Sequence, residues 1–278
     1  MNLKILNYFS MALVLLGPHI NAQTQMDYIF DKASLAQKSE DMKAIQSVMA
    51  RYYEGVERAK GDLLEEVFHS AWYMRDNDSE DRIQHHGQNK RDFIDMVVKH
   101  GLYKGYAHAR KIADLSFIYE HLAFVRVNKD PSRSSTSFFL YKIEGRWWLM
   151  DKLWVYPREV AEGLPTHQSS YQEVEKLIRQ YYEAVSANDQ NKLEKVLHES
   201  WDLKYLENRA LSIMKRKEFL KTLDDSGGKT IDYSQLMSID LYHDQLAIAR
   251  LDLPQSGMTA CLIMFKAENG WQIMAERR

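Results

Sequence analysis

The stretch Tyr52-Tyr53-Glu54 returns 129 positions later as Tyr181-Tyr182-Glu183, and the same shift lays Val56 on Val185, Leu64 on Leu193 and Val67 on Val196. His69 and Trp72 then fall on His198 and Trp201. A shift of 124 continues the match, with Leu122-Ala123 on Leu246-Ala247, Arg126 on Arg250, Lys142 on Lys266, Trp147 on Trp271 and Met150 on Met274. The change of shift requires only that the intervening loops differ in length. Two copies of one unit of about 120 residues account for the pattern, a period far too long for a solenoid.

Each copy opens with an amphipathic helix: Ile45, Val48, Met49, Tyr52 and Val56 recur at helical spacing and map onto Val174, Leu177, Ile178, Tyr181 and Val185. A short helix bearing Leu64, Val67 and Phe68 follows, then an extended segment at Trp72 to Met74 and a helix near Lys90 to Lys99, repeated at Lys215 to Leu223. The rest of the first copy reads as strands at Ile112 to Tyr119, His121 to Val127, Ser135 to Ile143 and Arg146 to Tyr156. In His121 to Val127 both alternating sets are apolar, and Leu246 to Leu251 repeats this. A sheet with one wet face would alternate cleanly, so the second face is expected to lie against another sheet, with the other copy the nearest candidate.

Pro157 to Ser169 reads as a linker, and Ser170-Tyr171-Gln172-Glu173 reads as a capping box opening the second copy. Before the first copy, Met1 to Ala22 carries one cation, Lys4, an apolar run densest at Met11 to Leu16, and a Gly17-Pro18 break, the layout of a secretory signal cleaved after Ala22. The expected organisation is therefore a signal peptide over 1–22, a helical or irregular arm over 23–39, domains over 40–156 and 170–278, and a linker over 157–169. The product would be exported, periplasmic or secreted, with no stable membrane insertion once the signal is gone.

Composition narrows the chemistry. The 278 residues are 45% hydrophobic and 27% charged, which excludes disorder, and 37 Lys plus Arg against 39 Asp plus Glu leave no basic footprint for a nucleic acid. The one cysteine, Cys261, sits in an apolar strand-like run and cannot form an internal disulfide. No HExxH, CxxC, phosphate-binding glycine loop or GxSxG occurs. His85-His86 lies near Asp76, Asp78, Glu80 and Asp81, but adjacent strand side chains point to opposite faces, so a solvated loop is the simpler reading and neither a metal nor a cofactor is expected.

The order of these elements resembles the nuclear-transport-factor-2-like superfamily. Tyr52-Tyr53-Glu54-Gly55, Phe68-His69 and Lys142 to Trp148 are similar to stretches of its branch called putative lumazine-binding. The resemblance implies an α+β fold of two tandem cones, each a curved antiparallel sheet wrapped on helices with a pocket at the open end. It also implies pairing through the outer sheet faces, here as an intramolecular pseudo-dimer. Since the superfamily includes enzymes and non-enzymes alike, it does not fix an activity.

Two functions from different classes follow. The first is an exported, non-catalytic protein that binds a small aromatic or apolar ligand or a protein partner. Its pocket in the first copy would be lined by Tyr52, His69, Trp72, Trp147 and Asp151, with Trp147, Leu149, Asp151 and Leu153 pointing inward from the closing strand. The second copy, with Ala275 in place of Asp151, would be filled and structural. His69 and His198 have a competing structural reading as helix-terminal histidines on the macrodipole. The alternative is a proton-transfer isomerase or dehydratase: Tyr181 to Asp189 is similar to a ketosteroid isomerase segment, and carrying the roles across the repeat assigns Tyr52 as hydrogen-bond donor and Asp76 as proton shuttle. That pattern is incomplete, because Tyr205 replaces the acid in the second copy and Ser137 stands where a third acidic group would fall. Asp76 also sits in the charged run Arg75 to Asp81, expected to be a wet turn.

Overall fold

The computed structural model describes residues 32–76, 88–101, 111–130, 134–155, 167–226, 236–253, 258–267 and 270–278. The expected signal segment, most of the linker and the His85-His86 pair lie outside the described residues. The first copy consists of α1 (Lys32–Glu57), α2 (Gly61–Val67), β1 (Phe68–Asp76), β2 (Gln88–Asn89), α3 (Lys90–His100), β3 (Lys111–Tyr119), β4 (Leu122–Asp130), β5 (Ser134–Ile143) and β6 (Arg146–Val155). The second repeats that order as α4 (His167–Ser186), α5 (Gln190–Val196), β7 (Leu197–Glu207), β8 (Ala210–Lys215), α6 (Arg216–Ser226), β9 (Leu236–Tyr242), β10 (Leu246–Leu253), β11 (Met258–Ala267) and β12 (Gly270–Arg277). The chain divides into a unit ending at Ser47 and a unit Val48–Arg278 that holds both sheets. Among the described residues, no helix is long and apolar enough to cross a membrane.

The sheets are ordered β2-β1-β6-β5-β4-β3 and β8-β7-β12-β11-β10-β9, the same arrangement twice. They are mixed and not wholly antiparallel as expected, because β1 runs parallel to β6 and β7 parallel to β12. The last four strands of each copy form a meander that must alternate direction. The first strand is joined to the last only through the whole copy, so no hairpin dictates its sense. Tight turns set the meander's registers: Glu144 and Gly145 between β5 and β6, and His243 and Asp244 between β9 and β10, take positive φ as hairpin turns demand.

Local signals explain most helix ends. Asn89 caps α3 by accepting the Asp92 N–H at 3.0 Å, and Gly101 closes that helix in the left-handed region at φ 57°. Asp189 caps α5 through the Lys192 N–H. The capping box expected at Ser170 is not formed. The helix starts at His167, and Glu173 instead accepts from Lys266 Nζ at 3.0 Å and Trp271 Nε1 at 3.1 Å. Ser170 therefore lies inside the helix and not at its N-cap. Gly55 serves close packing, since a Cβ there would lie 2.8 Å from Leu64.

Helices cover one face of each sheet. In the second copy Val174, Ile178, Tyr181, Phe219 and their neighbours share a core with Ala247, Ala249, Leu262 and Ile273. The opposite faces meet each other: Leu122, Phe124, Phe139, Tyr141, Leu153 and Val155 of the first copy form one buried cluster with Leu246, Ile248, Cys261, Ile263, Phe265 and Met274 of the second. This accounts for the doubly apolar β4 and β10, whose two faces answer to two different cores. Cys261 lies in this cluster, and burial pushes its thiol up to about 12, so it is a small packed hydrophobe.

Because Ile263 belongs to the shared cluster, Ile263→Ala should destabilise the chain by about 2–5 kcal/mol. Hydrogen exchange should show β4 and β5 of the first copy losing protection together with β10 and β11. A loss confined to the second copy would contradict a common core.

Candidate ligand site

Tyr52, Trp72 and Trp147 are fully buried and packed. Tyr52 meets Tyr53, Phe68 and Phe138 with ring centroids 5.0, 5.8 and 5.2 Å away. Trp72 stacks on Phe68 at 4.3 Å, and Trp147 tilts against Phe117 at 5.9 Å. These aromatics build the helix-side interior of the first copy. Asp76 is buried in β1, paired in register with Trp154, and not in a wet turn.

His69 and His198 lie in β1 and β7, past the helix ends, and each ring Nδ1 accepts a backbone N–H two residues on, from Ala71 and Ser200, both at 3.1 Å. Both pairs fall at the irregularity where these strands shift register against β6 and β12. An accepting Nδ1 is unprotonated. Burial, with Lys204 and Lys90 nearby, lowers the His69 pKa, so the expected role of a cation on a helix macrodipole is replaced by that of a neutral acceptor.

Asp151 departs most from its expected place. In the β5–β6 ladder Leu140 pairs with Leu149 and Phe139 with Asp151, so Met150 is an extra residue and the alternation expected from Trp147 to Leu153 reverses across it. The same bulge recurs at Met274 between Ile273 and Ala275. Beyond it, Asp151 faces the other sheet, where Arg277 binds it through Nε to Oδ2 and Nη2 to Oδ1, both 2.8 Å. Lys204 Nζ reaches Oδ1 at 2.9 Å and Arg75 Nη1 reaches it at 3.1 Å. Arg75 Nη2 also binds Asp202 Oδ1 at 2.9 Å, and Arg277 Nη1 lies 2.8 Å from the same atom. Burial alone would raise the Asp151 carboxyl, but the charges of Arg277, Lys204 and Arg75 outweigh it and hold it at about 2. Burial brings Lys204 down to about 8 against the pull of Asp151.

Among the described residues, a cavity of about 380 Å³ is lined by Leu203, Tyr205, Leu206, Met214, Phe219 and Thr222 from β7, β8 and α6, by Thr259 and Arg278, and by Tyr119 and His121 of the first copy. Arg277 is paired to both Lys204 and Cys261, while β7 runs on to Glu207 and β11 starts at Met258. Arg278 gives Nε to Glu276 Oε1 at 2.6 Å, and Glu276 Oε2 accepts the Tyr181 hydroxyl at 2.7 Å. Burial, then Glu276, raises the Tyr181 pKa well above its ordinary value. Of these wall residues only Tyr205 stood out in the sequence, as the replacement for Asp76. The others come from separate elements without a shared motif.

The class that this architecture defines is a tandem nuclear-transport-factor-2-like α+β protein. The chain belongs to the family described as "Putative lumazine-binding", whose profile matches residues 40–155 and 169–276. It is similar to a nuclear-transport-factor-2-like protein of unknown function from Silicibacter pomeroyi, at 16% identity over 41% of this chain and 97% of the other, with a TM-score of 0.37. Another from Shewanella baltica is 21% identical over 42% and 93% of the two chains, with a TM-score of 0.36. None of the curated proteins matches the chain.

Two stability measurements follow from the charges. Removing one partner strands the rest in a dry site, so Asp151→Asn should cost about 3–5 kcal/mol at pH 7. The folded pKa of Asp151 lies below its unfolded value of 3.8, so its contribution is present above pH 3.8 and is lost as pH falls through about 2. Urea unfolding should show wild type and Asp151→Asn converging over that window. His69 and His198 have lowered pKa values, so their contribution is present above the ordinary 6.5 and is lost as pH falls below it. A His69→Gln/His198→Gln protein should lose less stability than wild type between pH 7.5 and 5.5.

Proposed function

We propose that the protein is an exported, non-catalytic binder of a small, flat or apolar molecule, in which the two copies work as an intramolecular pseudo-dimer and the ligand occupies the cavity of the second copy. The observation that carries this reading is the cavity itself: about 380 Å³, with Leu203, Leu206, Met214 and Phe219 giving it a mainly apolar surface among the polar groups of Tyr119, His121, Tyr205, Thr222, Thr259 and Arg278. Small-molecule sites have this character, and a cavity of about 150 Å³ already admits a benzene ring. Membership of a family described as lumazine-binding supports the same class of ligand. Export rests on the layout of Met1 to Ala22, and the pairing of copies on their common apolar cluster.

Proton transfer has weaker support. Tyr52 is closed in among aromatic rings, and its counterpart Tyr181 already donates its hydroxyl to Glu276. A donor committed to a buried carboxylate is a poor stabiliser of a developing oxyanion.

Native mass spectrometry of the protein purified from its exporting host should show a small molecule bound at one per chain, and a chain beginning at Gln23. Thermal unfolding should rise with added aromatic heterocycles, by about 2.7 kcal/mol of stability at a hundred times Kd. Met214→Trp, which puts a bulkier ring into the cavity wall, should weaken both. A chain that retains Met1 would refute export, and a ligand bound with unchanged affinity in Met214→Trp would refute the site.

A further inference from the structure

The repeat makes the cavity's position informative. The turn after β3 and the turn after β9 are equivalent, so Tyr119 and His121 correspond to His243 and Gln245, and Ser135 at the start of β5 corresponds to Thr259 at the start of β11. On one side the turn of the second copy closes onto the first: His243 Nε2 and Ser135 Oγ are 3.0 Å apart. Tyr119 and His121 of the first copy line the cavity together with Thr259 of the second. The two equivalent turns thus meet the opposite copy in different settings, one at a direct hydrogen bond and the other beside a cavity.

The charge of that space is also defined. Glu276 is buried and pairs with Arg278 through the Nε and Nη2 edge of the guanidinium. Among the described residues, Nη1 of Arg278 has no partner and Arg278 is the one lining residue with a permanently charged side chain. The guanidinium is therefore already neutralised and retains a donor. An incoming carboxylate would compete with Glu276 for the same charge, whereas a carbonyl needs only the donor. Tyr205 and Phe219 supply aromatic surface, and Met214 adapts to a ring placed beside it.

We propose that the ligand site is shared between the two copies, the first supplying Tyr119 and His121 as one wall, and that it takes an uncharged, planar, carbonyl-bearing molecule whose oxygen accepts from Arg278. This rests on the assignment of ligand binding to this cavity and adds its two-copy construction and the class of molecule. Tyr119 and His121 act as specificity-determining residues. Their rings lie 5.5 Å apart at 38° and bridge ligand and first copy.

Three probes of similar size separate the possibilities: 2-quinolinone (uncharged, with a carbonyl), 2-naphthoate (charged) and naphthalene (no acceptor). Their affinities for the mature chain are measured by calorimetry and saturation-transfer NMR after any co-purified molecule is removed. We expect 2-quinolinone to bind at least about tenfold more tightly than either of the others. Arg278→Ala should remove that preference. Tyr119→Ala and His121→Ala should each weaken 2-quinolinone by about tenfold, although they lie in the other copy. Ser135→Ala, on the closed side, should leave affinity unchanged. If Tyr119→Ala lowers the urea midpoint, His121→Ala, in an accessible turn, carries the test alone. Tighter binding of 2-naphthoate would overturn the ligand class. Unchanged affinity in His121→Ala, with binding weakened by Met214→Trp, would overturn the sharing while leaving the cavity as the ligand site. Failure of all three probes to bind would overturn this proposal and the cavity assignment together.

Discussion

Three cations and two carboxylates share a dry site where the sheets meet, and the relation of the two copies depends on it. Arg75, Lys204, Arg277, Asp151 and Asp202 are each no more than 3% exposed. Apolar packing between sheets is strong but indifferent to sliding, because one aliphatic side chain replaces another at little cost. A bidentate guanidinium on a carboxylate has no such freedom. Arg75 of β1 binds an acid from each sheet, and Arg277 of β12 does the same. The observed relative position gives each of the five an oppositely charged partner. A shift that left one buried and unpaired would cost about 3–5 kcal/mol.

That constraint propagates outward. With register set at β1, β6, β7 and β12, the apolar faces of β4, β5, β10 and β11 come together as one cluster, and the turns beyond them reach the opposite copy. One turn closes through His243 and Ser135. The other, with Tyr119 and His121, lines the cavity together with Thr259 and Arg278. Two halves with the same strand order thus produce one unlike pair of edges, with different side chains at equivalent positions. Asp151 has Ala275 as its counterpart, and Asp202 has Tyr73.

Much of the fold was legible in one dimension because it repeats. Strand segments read at Ile112 to Tyr119, Ser135 to Ile143 and Arg146 to Tyr156 lie within a residue or two of β3, β5 and β6. Two faces of apolar residues in β4 pointed to two cores. The candidate site was less legible. Asp151 was placed inward by simple alternation, and one extra residue, Met150, turned it outward. A bulge leaves no mark in the hydrophobic pattern when the inserted residue is itself apolar. The Ser170 capping box is absent because the helix begins three residues earlier, at His167, and Glu173 pairs with Lys266 and Trp271, 93 and 98 positions away.

The sequence by itself determined the duplication, the class of fold and the order of elements, because periodicity, turn chemistry and internal likeness are local properties that each segment carries wherever it is placed. Only the tertiary structure decided which carboxylates are buried with which cations, where the chain leaves space, and that Tyr119, His121 and Arg278 share one wall. Those outcomes depend on distances between residues far apart along the chain, and on a register shift that no local pattern records.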